Sequence, residues 1–257
     1  MILTKSSCDV ERVRHRASSN DGQATYVTSY HGPSRGADAA PFVEPPLDVL
    51  FPVAYLIESA PFREAAPHFH QANQFQVVVA GGGHIGKHPV GNFTVHYASA
   101  YTPYGPISPG ADGITYMTMR NGFDPGAKGM PKERELLKFG NRKPRAATSD
   151  PVEPLGVAEL ATATTSCTPM LPAESDGLGA WHYRIAPGAR ISGPDPHAGG
   201  GQFWLVIGGE LAADGHAALP RMSCVFVSPD EAPLAPVAGA HGCEVLAVQF
   251  PEGIALS

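Results

Sequence analysis

From Leu47 onward, apolar and polar positions alternate over short stretches, and glycine or proline closes each one. Residues 50–57, 74–80, 93–97 and 114–120 are rich in Val, Tyr and Thr, side chains that suit a pleated, half-buried surface, so they predict strands. The same grammar resumes at 181–185, 202–207, 221–227 and 244–250. Residues 1–46 are polar and rich in Ser, Gly and Asp, and read as an arm or irregular cap. Residues 124–153 turn to Pro, Gly and basic side chains, which marks a linker. Within it the segment PKERELLKF predicts a short helix over 131–139, opened by a proline at the first helical position. The organisation expected is an arm (1–46), a first β domain (47–123), the linker (124–153) and a second β domain (154–257).

The two halves also align with each other. APFREAAPHFH, ending at His70, falls on PGARISGPDPH, ending at His197, with Arg63 over Arg190 and Pro67 over Pro194. QFQVVVAGG from Gln74 falls on QFWLVIGGE from Gln202, and GITYMTMR from Gly113 on GCEVLAVQ from Gly242. A nearly constant offset over this length predicts a tandem repeat, with Gln74 over Gln202 and Pro103 over Pro229.

Composition narrows the function classes. The 29 glycines and 26 prolines exceed what a helical protein tolerates. A net charge of −6, with Lys and Arg scattered rather than striped, argues against nucleic acid. No apolar run reaches the roughly 18 residues of a membrane span. The start, MILTKSSCDVERVRHR, lacks a signal-peptide core, so a cytoplasmic location and reduced Cys8, Cys167, Cys224 and Cys243 are expected. Gly81 to Gly83 and Gly199 to Gly201 precede no P-loop lysine, and there is no nucleophile elbow.

His68 and His70 stand two apart on a predicted strand, so both imidazoles leave one face and converge. Gln74 follows after three residues and Gly81 after six more. This arrangement resembles the first motif of the cupin superfamily, H-x-H, three or four residues, Glu, six residues, Gly, with Gln74 at the Glu position. The second cupin motif, P-x-G-x-x-H with a later Asn, is met by Pro103 and Gly105, while Ser108 and Asp112 replace its His and Asn. In the second half the template falls on Asp195, His197, Gln202 and Gly209, then on Pro229 and Glu231, with Leu234 at the late histidine position.

The resemblance spans residues 47 to 250 and implies an all-β chain of two tandem cupin jelly-roll barrels joined by a short helical linker. It implies a divalent ion, Zn, Ni, Fe or Mn, held in the first barrel by His68, His70 and Gln74, with His84, His88 or His96 able to reach inward. The alternative is a polar, hydrogen-bonded pocket without metal. Because two imidazoles and an amide oxygen bring no negative charge, a bound ion keeps its full charge and suits Lewis-acid work. Tyr101 and Tyr116, near the altered second motif, are the expected catalytic phenols. The second barrel is expected to hold no metal, and Asp195, His197 and Gln202 form its expected pocket.

Three functions remain open: a metal-assisted isomerase, cyclase or lyase; a non-catalytic small-molecule binder or structural dimer; and a metal-dependent dioxygenase. The expected partners are a small molecule and a second copy of the chain.

Overall fold

The computed structural model describes residues 1–16, 25–138, 144–212 and 217–253. The chain divides into two compact units. One, the first barrel, holds residues 11–152, and the other, the second barrel, joins residues 1–10 to 153–252.

The chain begins with β1 (Ile2–Lys5), β2 (Arg12–Arg14), β3 (Tyr26–His31), β4 (Leu50–Ser59) and the short β5 (His68–Phe69). β6 (Gln74–Ile85), β7 (His88–Val90), β8 (Val95–Ala98) and the long β9 (Ile107–Gly122) follow. Next come β10 (Lys128–Gly129), β11 (Ala146–Thr148) and one helical turn, α1 (Val157–Leu160). The second half supplies β12 (Ser166–Leu171), β13 (Gly179–Ile185), β14 (Gln202–Ala212), β15 (Leu219–Pro220), β16 (Cys224–Val227) and β17 (Val237–Gln249).

The two large sheets are antiparallel and follow one plan, and β5 pairs with β10 in a small third sheet. The first runs β11-β8-β6-β9-β4-β3-β2 and the second β1-β16-β14-β17-β13-β12, with β7 and β15 pairing at matching places on β6 and β14. Gln74 lies opposite Arg120, and Gln202 lies opposite Gln249. Gly81 and Gly209 both take left-handed backbone, φ 67° and 65°. A Cβ at either would stand 2.3 or 2.1 Å from the carbonyl oxygen of Gly113 or Gly242, so the bulge demands glycine in both halves. The tandem all-β reading of the sequence therefore holds, with Gln74 and Gln202 at equivalent places in their sheets.

Parts of the segment expected as an irregular arm are strand. β1 pairs along β16, Ile2 opposite Val227, while β2 and β3 extend the first sheet from β4. The linker likewise contributes wall, since β11 pairs along β8 with Ala146 opposite Ala98. β1, β2 and β11 escaped detection because edge strands are short and partly polar, with one side open to solvent; β3, paired on both sides, was missed although YVTSYH is largely buried. In place of the helix expected over 131–139 there is a single 3-10 turn, Arg134–Leu136; Phe139 lies outside the described residues, as do 254–257 of the second domain.

The two interiors differ. In the second barrel, Trp204 faces Val225 and Ala247 across the sheet, within a core that also takes Tyr183, Val206, Leu234 and Val245. At the matching positions the first barrel has Gln76, His96 and Thr118, all buried. At this level one barrel carries hydrocarbon and the other hydrogen-bonding groups. Cys224 and Cys243 are buried, Cys8 and Cys167 exposed, and all four are free thiols.

Candidate functional site

The polar interior is organised by β5, β6 and β9. Backbone bonds between His68 and Tyr104, 3.0 and 3.1 Å, pin Tyr104 beside β5 and aim its ring between the histidines. Its ring centroid lies 4.7 Å from that of His68, 5.3 Å from His96 and 6.3 Å from His70. Gln74 begins β6 opposite Arg120 on β9, and Asp124 follows Arg120 by four residues.

The hydrogen bonds form one directed chain. Arg120 Nε and Nη2 both donate to Gln74 Oε1, at 3.1 and 2.9 Å. Gln74 Nε2 donates to the Tyr104 hydroxyl. That hydroxyl meets His68 Nε2 at 2.9 Å, while His68 Nδ1 faces the Ala66 carbonyl at 2.7 Å, so a proton on Nδ1 leaves Nε2 to accept from Tyr104. At the other end Arg120 Nη1 stands 3.2 Å from Asp124 Oδ2. Asp124 also takes His70 Nδ1 at 2.8 Å and the amides of Gln71 and Gly126.

Burial would push the Asp124 carboxyl up, but Arg120, His70 and the Gln71 amide together hold it well below the carboxylate range. Burial first, then the Arg120 charge, pulls the His70 imidazole down to about 4. Burial and the charge of His88 do the same for His96, also to about 4, and burial lowers His68. Burial raises the Tyr104 and Tyr116 phenols above their ordinary range. At neutral pH the cluster therefore holds neutral imidazoles and phenols around one buried ion pair.

These residues do not fit a dication. The Gln74 oxygen spends both lone pairs on Arg120, His68 Nε2 is taken by Tyr104, and an ion on Gln74 would stand beside a permanent guanidinium charge. Among the described residues no group of three His, Cys, Asp or Glu side chains is placed to hold a metal ion.

Of the residues singled out in sequence, His68, His70 and Gln74 come together. Tyr116 is buried among Val78, Ile85 and Ile114. Tyr101 packs on Phe69 instead, in a separate cluster, with ring centroids 6.1 Å apart. His84 and His88 are exposed on the β6–β7 hairpin, whereas His96 does reach inward. Ser108 bonds to Glu64 at 2.7 Å.

In the second barrel the expected pocket does not assemble. Asp195 and His197 are exposed and bond to each other, while fully buried Gln202 bonds to Pro194, Gln249 and Trp204. The cause is the 3-10 turn Pro196–Ala198, which Asp195 caps and which carries His197 off the strand. The second barrel's buried charge is instead Glu244, held by His182 at 3.1 Å, Arg184 at 2.8 Å and the Leu155 amide at 2.8 Å.

Reasoning from the sequence missed Arg120, Asp124 and the partnering of Tyr104. The available signal was an arginine closing an otherwise apolar strand, GITYMTMR.

Solved structures carry the same architecture along nearly the whole chain. A candidate dioxygenase from Nostoc punctiforme superposes with a TM-score of 0.62 at 12% identity, over 98% of this chain and 83% of that one. The fold is that of a bicupin. The bacterial pirin YhhW from Escherichia coli, solved with nickel(II), matches this chain at TM-score 0.58 and 14% identity, over 98% and 100% of the two chains. A variant of the oxalate decarboxylase of Bacillus subtilis matches at 0.56 and 13%, over 98% and 78%. Oxalate decarboxylase from that organism has manganese(II) centres. No family model and no curated protein matches the sequence.

Proposed function

We propose that this bicupin is a small-molecule-binding protein whose first barrel takes its ligand without a metal ion, the Arg120 guanidinium supplying the fixed positive charge. One observation carries the reading: Arg120 donates twice to the Gln74 oxygen that a metal would need. Free hydrogen-bonding capacity nearby supports it. Gln76 Oε1 and His96 Nε2 are buried with no hydrogen-bond partner among the described residues, and buried groups of that kind are ordinarily satisfied by a ligand or ordered water.

The competing reading is metal-assisted isomerisation, cyclisation or elimination. It is favoured by the two imidazoles, whose ring centroids lie 5.2 Å apart, and by the nickel of the pirin. Dioxygenase chemistry would draw on the same donors.

Elemental analysis of untagged protein separates these readings. The expected result is Zn, Ni, Fe and Mn each far below one equivalent, unchanged in a His68→Ala, His70→Ala double variant. Near-stoichiometric metal that disappears in the double variant would overturn the proposal.

A further inference from the structure

Asp124 also lines a cavity of about 300 Å³ in the first barrel, at the lower end of the range for small-molecule sites. Arg16, Arg35, Phe42, Glu44 and Phe123 line it as well. The Arg16 amide donates to the Arg35 carbonyl at 2.9 Å, so two guanidiniums stem from adjoining segments. Arg35 lies with Cζ 4.0 Å from the Tyr55 ring centroid, and its Nε is buried with no hydrogen-bond partner among the described residues. Phe42 and Phe123 meet edge to face at 5.7 Å, with Phe51 behind them at 6.4 and 6.2 Å.

The charges do not cancel. Asp124 already spends its carboxylate on Arg120, His70 and two backbone amides. Glu44 is exposed at the rim, and His15, pulled down to about 4 by burial, is neutral. What remains is a pair of cationic forks beside an apolar aromatic wall. Guanidinium binds carboxylate through two parallel bonds, and a ring of matching size fills the space against the phenylalanines.

We infer that this cavity binds a small aromatic carboxylate, the acid group on Arg35 and Arg16 and the ring against Phe42 and Phe123. The inference deepens the metal-free reading, with which it shares Asp124, but its test does not depend on metal content.

Titrate the full ¹⁵N-labelled chain with benzoate, and separately with benzamide, its uncharged counterpart, following backbone amides by NMR. Benzoate should give saturable shifts confined to residues around 34–36 and 123–126, with benzamide nearly silent. Arg35→Met and Arg16→Ala should each weaken benzoate by about tenfold, the worth of one charge-assisted bond. Arg16 is exposed, so its variant reports even where Arg35→Met fails to fold. Equal responses to benzoate and benzamide, shifts centred elsewhere, or an Arg16→Ala variant that binds like the parent would each overturn the inference. Stoichiometric metal beside specific benzoate binding would sink the metal-free reading alone.

Discussion

Arg120 is 1% exposed and Asp124 3%, so each charge is tolerable only because of the other. Arg120→Met strands a buried carboxylate and should lower stability by about 3–5 kcal/mol in urea unfolding, with Asp124→Asn added to it recovering part of that loss. The histidines set the pH dependence. His70 and His96 ionise near 4 in the folded barrel and near 6.5 when unfolded, so between those values the unfolded chain binds protons that the folded one refuses. Stability should therefore fall as pH drops from about 6.5 to about 4. At about 1.4 kcal/mol per pH unit, each imidazole accounts for on the order of 3 kcal/mol. Urea midpoints measured across that window check the sign, and a flat profile would contradict it. The histidines and Gln74 were legible in the sequence because one short motif holds them. Arg120 and Asp124 were not, because only the pairing of β6 with β9 brings them to Gln74 and His70.

At the level of strands, the two glycine bulges make the repeat testable. Gly81→Ala forces a left-handed alanine against the Gly113 oxygen and should cost more than about 2 kcal/mol. Gly91→Ala, where an added Cβ meets nothing within 4 Å, should stay within about 0.5 kcal/mol. Equal melting temperatures for the two variants would contradict the bulge assignment. Central strands announced themselves: QFQVVVAGG and QFWLVIGGE are apolar enough to be buried on both faces, and share their glycines. The edge strands were silent for the converse reason. β2 reads RVR and β11 reads AAT, too brief and too polar to stand out, and what makes them strands is a neighbour's unpaired backbone rather than their own side chains.

Across the whole molecule, acid and tryptophan separate the barrels. Both tryptophans, Trp181 and Trp204, sit in the second barrel, whereas the imidazoles pulled down to about 4, His15, His70 and His96, all sit in the first. On acidification, far-ultraviolet circular dichroism should change before tryptophan emission does, and coincident curves would contradict separate unfolding of the barrels. Strand β1 adds a consequence for how the chain is made. The amide of Ser228 donates to the carbonyl of Met1, 227 residues away, and every pairing of β1 with β16 spans a similar separation. On the ribosome, residues 11–152 are complete and able to close while the partner of β1 is still untranslated. Strand β1 must therefore wait, tethered and unpaired, at least until β16 has been made. A slow strand-addition phase should follow the rest of refolding, and a chain starved of that step would expose the β16 edge to other chains.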